Sequence, residues 1–229
     1  MGKENNLLGF IDELISTIAR EKKINIQFVS TAPNTLISGL DNDRYEAVVT
    51  QLTPSILNRQ RFLFSDPLLR LGPVLVVHQE STIRSLSQLK EKIIGIQRGS
   101  ASAFDTVRFP AVIITPYENL MLALDTLSRR RIDAVIMEAI PAYVYTQSFY
   151  RDDLKIATPP LTDFGLRLMT KTNQDNFMKL FDKGLEEIKE KGIYEDLIKK
   201  WGLFDPDKIQ PISEETDSSA IPELRTEQF

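Results

Sequence analysis

Residues 47–67 read Ala47-Val48-Val49-Thr50-Gln51-Leu52-Thr53-Pro54-Ser55-Ile56-Leu57-Asn58-Arg59-Gln60-Arg61-Phe62-Leu63-Phe64-Ser65-Asp66-Pro67. The stretch opens as a buried strand, Ala47 to Val49, and runs into hydroxyls and amides at Thr50, Gln51 and Thr53. A basic, amide-bearing turn follows, Asn58-Arg59-Gln60-Arg61, then an apolar return closed by Phe64-Ser65-Asp66-Pro67. Small polar side chains at a strand's end, with cations a few residues on, suit an anion held at the carboxyl edge of a parallel sheet. The same residues also suit a plain polar loop after a core strand, and short motifs do not separate the two.

Upstream, Leu7, Ile11, Leu14, Ile15 and Ile18 recur at helical spacing between residues 7 and 22, with charge on the other face. Ile24 to Phe28 alternate as a strand, Thr35 to Leu40 form a short helix, and Glu46 to Thr50 the next strand. A crossover helix in a βαβ fold normally follows a strand, so the first strand of the lobe is expected to be absent or supplied in a way the sequence does not show. Downstream, Val74 to Val77 form a buried strand ending at His78. Ile83 to Lys92 read as a short amphipathic helix. A second alternation follows: strand Ile93–Gln97, helix Ala101–Val107, strand Ala111–Ile114, a helix capped by Thr115-Pro116-Tyr117-Glu118, and strand Ile132–Met137. That order implies a parallel sheet wrapped by helices. Arg129-Arg130-Arg131 suit a solvated helix end. Ala139–Tyr145 reads as helix, Phe164–Thr170 as a strand returning beside Val74–Val77, and Gln174–Lys191 as an amphipathic helix stopped by Gly192. Ile193–Trp201 adds one more helix.

Two similar α/β halves joined by extended passages near 73–79 and 161–168 predict two lobes about a hinge. The expected divisions are 1–76 for the first lobe, 77–163 for the second, 164–202 for the return, and an acidic tail, 203–229, without fixed structure.

Composition narrows the function. A net charge of −4 argues against nucleic acid, which needs a basic footprint. The lack of cysteine removes disulfides, thiolate nucleophiles and Cys-ligated metal sites. The lone His78 has no second histidine with which to bind a metal. No apolar run approaches the roughly 20 residues that span a bilayer, and Met1–Phe10 carry no signal-peptide core. Signatures of P-loops, dinucleotide sites, zinc proteases and serine hydrolases are missing.

Several segments together resemble the bacterial extracellular solute-binding proteins of family 3, the receptors of polar amino-acid ABC importers. They are Gly9–Leu14, Thr53-Pro54 through Phe64-Ser65-Asp66-Pro67, Ser87–Lys90 leading to Ile94–Ser100, Ile132–Val135 followed by Glu138, Gly165-Leu166, and Gly192-Ile193-Tyr194 with Lys200-Trp201-Gly202. They run in unbroken order over residues 8–202. The resemblance implies a type II periplasmic-binding-protein fold, an α/β pair of hinged lobes with mainly parallel sheets. It also implies a monomer in the periplasm that captures a small polar amino acid or related anion without a cofactor and delivers it to a membrane permease.

By the same resemblance, Thr53 and an arginine five residues on hold the ligand carboxylate. Asn58 occupies that place here and Arg59 stands one residue beyond. Thr50 and Gln51 flank them. Gly99, Ser100, Ala101 and Ser102 offer backbone amides and hydroxyls between strand and helix, where Ser100 also suits a helix cap. Glu138 matches the acid that pairs with the ammonium, and equally suits a helix start. Pro33 stands where the family places an aromatic. The fold also hosts cyclohexadienyl dehydratase-like enzymes, which would need a raised-pKa acid such as Glu138 or Glu13, and sensor domains. Turnover of arogenate or prephenate would mark the enzyme, and a neighbouring permease the importer.

Overall fold

The computed structural model describes residues 2–100 and 112–209, and two sheets organise them. In the first, β1 (Ala47–Thr50), β2 (Phe62–Phe64) and β3 (Leu69–Arg70) all pair antiparallel with one long strand, β9 (Gly165–Lys171). The second contains β4 (Pro73–His78), β5 (Ile93–Gln97), β6 (Ile113–Tyr117), β7 (Ala134–Glu138) and β8 (Leu154–Ile156) in the order β6-β5-β7-β4-β8. Around them lie α1 (Gly2–Lys22), α2 (Leu36–Asp41), α3 (Ile56–Arg59), α4 (Leu120–Ser128), α5 (Ala139–Thr146), α6 (Asp175–Glu190) and α7 (Ile193–Lys200).

The two-lobe α/β expectation holds, but the sheets are not mainly parallel: the described pairings of the first are all antiparallel, and the second is mixed. Parallel pairing is confined to β5 with β6 and β7, whereas β4 runs antiparallel to β7 and β8. The reason lies in how the chain travels. β4 and β9 enter their sheets from the opposite lobe rather than through a crossover helix, so no helix forces them parallel.

The first sheet is backed by α1, α6 and α7. Phe10, Leu14 and Ile18 of α1 meet Phe181, Leu185 and Ile188 of α6 and Tyr194 and Ile198 of α7 in one cluster. This is the core that the helical stripes in the sequence promised, and each such side chain is worth about 1.5–3 kcal/mol when buried. Tyr194 also donates its hydroxyl to the Leu68 carbonyl at 3.0 Å, tying α7 to the chain before β3. The second sheet is covered on both faces. Val74, Val76, Val135 and Met137 point one way with Leu124 and Leu127 of α4, while Leu75, Val77, Ile94 and Ile136 point the other.

Two passages cross between the lobes and bind each other. The Leu71 amide donates to the Phe164 carbonyl at 2.9 Å, and the Leu161 amide to the Pro73 carbonyl at 2.7 Å. Glycine is required on both sides of this crossing. A Cβ at Gly72 would lie 2.7 Å from Thr162 Oγ1, and one at Gly165 would lie 2.3 Å from the Leu69 carbonyl oxygen.

Several sequence expectations fail for identifiable reasons. Ile24–Phe28 forms no strand and joins neither sheet, and Phe28 and Val29 are exposed. The helix expected over Ile83–Lys92 shrinks to one 3-10 turn, Leu86–Leu89, closed by a Ser85–Gln88 capping box. The cap read at Thr115-Pro116-Tyr117-Glu118 is instead strand: β6 keeps its register with β5 through Tyr117, and Asn119 caps α4 by accepting from the Leu122 amide. Pro116 is tolerated because β6 is an edge strand. β9 pairs in the first sheet, not beside Val74–Val77. In the tail, Leu203 packs on the first-lobe core and Asp207 lies 3.5 Å from Arg70, so residues 203–209 are ordered. The expected helix Ala101–Val107 lies outside the described residues.

Candidate functional site

The carboxyl ends of β1 and β2 in the first sheet, and of β5, β6 and β7 in the second, lie on the edges next to the crossing, where β9 and β4 begin. In the first, Thr50 at the end of β1 is opposite Arg167, two residues into β9, and the end of β2 at Phe64 is opposite Met169. In the second, Glu138 at the end of β7 is opposite Pro73, where β4 begins. β5 and β6 run parallel with each other and β5 with β7, so Gln97 and Tyr117 end on the same edge as Glu138. The strand ends of an α/β sheet are where loops can present ligand-binding groups.

The first-lobe turn is held by its own polar groups. Thr50 Oγ1 accepts from the Leu52 amide at 3.1 Å, and Ser55 Oγ caps α3 by accepting from the Asn58 amide at 3.2 Å. Asn58 Nδ2 donates to the Thr53 carbonyl at 2.7 Å. Arg59 folds back so that Nε donates to the Pro54 carbonyl at 3.0 Å. That hydrogen bond brings the guanidinium to the residue next to Thr53, and no acidic side chain among the described residues forms an ion pair with Arg59. Gln51 and Thr53 are exposed. Arg61, in contrast, is paired with Asp41 at 3.0 Å.

On the second lobe, Gly99 adopts φ +73°. The Ser100 amide and hydroxyl both donate to the Gln97 carbonyl, at 3.2 and 2.9 Å. Ser100 therefore closes a turn with its hydroxyl proton, and a ligand carboxylate would have to win that proton from Gln97. Ala101 and Ser102 lie outside the described residues. Glu138 is half-buried at the N-cap position of α5 but makes no side-chain capping bond there. A cavity of about 540 Å³ opens on this same edge, lined by Gln97, by Asn119 to Leu122, by Asp125 and by Tyr145. Thr53, Ser100 and Glu138 do not line it.

Glu13 does not supply the raised-pKa acid that an enzyme would need. Its carboxylate accepts from Lys200 Nζ and from Trp201 Nε1, and the Lys200 hydrogen bond holds its pKa below the ordinary value. Burial instead raises Asp182 to about 6, although its Oδ1 accepts from the Asp66 amide at 3.0 Å. It braces the Ser65-Asp66-Pro67 turn from α6. His78 accepts through Nδ1 from the Glu80 amide, an ordinary turn contact. Among the described residues, no cluster of acidic or imidazole side chains could hold a metal.

One residue escaped the sequence reading. Arg167 is buried, 4% exposed, beside the end of β1. Its guanidinium donates to the Ser65 carbonyl at 2.9 Å, to the Asp163 carbonyl at 2.8 Å and to the Asp163 carboxylate. It clamps the end of one crossing passage to the turn after β2. The signal was present as a cation set between Leu166 and Leu168.

Comparison with known proteins agrees with this architecture. The chain is 28% identical over 205 residues to a putative ABC transporter arginine-binding protein 2 of Escherichia coli K12, covering 86% of this chain and 82% of that one. It is also 28% identical over 203 residues to the arginine-binding extracellular protein of Bacillus subtilis, covering 86% and 78%. In three dimensions it is similar to the unliganded, open L-cystine solute receptor of Neisseria gonorrhoeae, with a TM-score of 0.67 at 21% identity over 84% of this chain and 81% of that one. No helix among the described residues is long and apolar enough to cross a membrane. The family model for bacterial extracellular solute-binding proteins, family 3, matches residues 1–204, and the chain belongs to that family.

Proposed function

We propose that the protein captures a small polar amino acid or related anion between its lobes and delivers it, as a periplasmic monomer, to the membrane permease of an ABC importer. It performs no chemistry on the ligand. The observation that carries this reading is the orientation of the strand ends: β1 and β2 of the first sheet and β5 to β7 of the second end on the edges next to one hydrogen-bonded crossing. A ligand there would meet groups from each lobe. The relatives named as arginine-binding, and the structural neighbour named as an L-cystine receptor, support an amino-acid ligand.

Within this reading the divisions at 76 and 163 lie near the two crossing passages, and the one at 202 follows α7. The ligand carboxylate is met by the Thr53 hydroxyl, by the Arg59 guanidinium in place of the arginine that Asn58 replaces, and by the amides at Gly99 to Ser102. Glu138 meets the ammonium, with Thr50 and Gln51 at the rim. Charge-assisted hydrogen bonds of this kind are worth about 1.5–3 kcal/mol net. The test is a thermal melt in the presence of each natural amino acid. A ligand at 100 times its Kd stabilises the folded chain by about 2.7 kcal/mol. At least one amino acid is expected to raise the melting temperature, and a flat response across the set would contradict the proposal.

A further inference from the structure

Tyr143 and Phe204 stack face to face with ring centroids 4.3 Å apart and planes 6° from parallel. They belong to different lobes. Tyr143 lies in α5, which packs on the second sheet through Ala139 and Ala142. Phe204 follows α7 and is fixed to the first lobe. The Leu203 amide donates to the Ile198 carbonyl at 2.9 Å, and Leu203 packs on the first-lobe core. Asp205 closes the next turn by accepting from the Asp207 amide at 3.1 Å, and Asp207 lies 3.5 Å from Arg70. One turn before Tyr143, Ile140 also reaches across to pack on that core.

We propose that this stack is a latch that sets the angle between the lobes. Any rotation about the crossing passages moves α5 against residues 203–208. Two rings this close and this parallel cannot follow such a rotation without sliding apart. The contact therefore weights one lobe arrangement over others, and an aromatic pair of this kind shifts such a population ratio by roughly 2- to 10-fold. Neither ring belongs to the residues assigned to the ligand. The latch thus changes every ligand's apparent affinity by one common factor, the fraction of molecules in the binding-competent arrangement. The inference rests on the two-lobe fold and the observed stack, not on the identity of the ligand, so it stands or falls separately from amino-acid capture.

Because the chain has no cysteine, paired spin labels can be introduced cleanly at exposed sites, Lys179→Cys on α6 and Asp152→Cys on the second lobe. Pulsed dipolar spectroscopy then reads the interlobe distance distribution of the full chain. Tyr143→Ala and Phe204→Ala are each expected to shift or broaden that distribution. The double variant should do no more than either single one, and Tyr143→Phe should leave the distribution as it was. If an alanine variant fails to fold, Phe204→Leu keeps the apolar volume, removes the stack, and carries the same expectation. Unchanged distributions in the folded variants, or single effects that add fully in the double variant, would overturn the latch.

Discussion

The second sheet has every one of its inner strands paired on both sides and covered on both faces, whereas the first converges on a single strand and leaves an apolar segment without a ladder. β9 alone pairs with β1, β2 and β3. Ile24, Ile26 and Phe28 alternate with Asn25 and Gln27, yet residues 24–29 remain outside both sheets with Phe28 51% and Val29 57% exposed. Alternation makes a segment competent to be a strand. A neighbouring strand with free hydrogen-bonding groups makes it one.

That contrast can be broken or sharpened by substitution. The largest effect is expected where the first lobe is densely packed: Phe181→Ala, at a side chain 2% exposed, should destabilise by about 3–5 kcal/mol in urea unfolding. Gly165→Ala comes next. Its Cβ would meet the Leu69 carbonyl oxygen at 2.3 Å, and the backbone shift needed should reduce stability by about 1–3 kcal/mol.

A pH effect follows from Asp182, whose carboxyl is raised by burial to about 6 from 3.8. A raised acid binds its proton more tightly in the folded state, so its contribution is most favourable below about pH 4 and is lost as pH rises through 6. Asp182→Asn should flatten the dependence of melting temperature on pH between 4 and 7 and raise the melting temperature at pH 7. Its amide oxygen can still accept from Asp66. A steeper dependence in the variant would contradict the assignment. The smallest effect should come from the unpaired segment, where Phe28→Ser should change stability by less than about 0.5 kcal/mol, with fast amide exchange over residues 25–30. A loss of several kcal/mol there would mean that the segment is packed after all.

The sequence made visible what depends on periodicity within one element. The stripes of α1 and α6 were legible because their apolar side chains all meet one core, and Gly192, with φ +73°, ends α6 where its position suggested. Features decided between distant elements were not. Thr115-Pro116 looked like a helix start because the sequence does not reveal that β5 keeps β6 extended through Tyr117. The destination of β9 and the docking of Leu203 both depend on partners far away in the chain. At the candidate site, the spacing from Thr53 to Phe64 pointed to the turn but not to its internal bonds. The fold-back of Arg59 onto Pro54 and the commitment of the Ser100 proton to Gln97 come from backbone carbonyls, which every sequence has and no motif displays.

The central claim is that one ligand touches both lobes. Isothermal titration with the amino acid that gives the largest thermal shift tests it most directly, comparing Thr53→Val in the first lobe with Glu138→Gln in the second. Each variant is expected to weaken binding at least about 10-fold while leaving the ligand-free melting temperature within a few degrees, as the loss of one charge-assisted or hydroxyl contact implies. Binding that weakens in one variant and is unchanged in the other would confine the ligand to a single lobe and contradict the account.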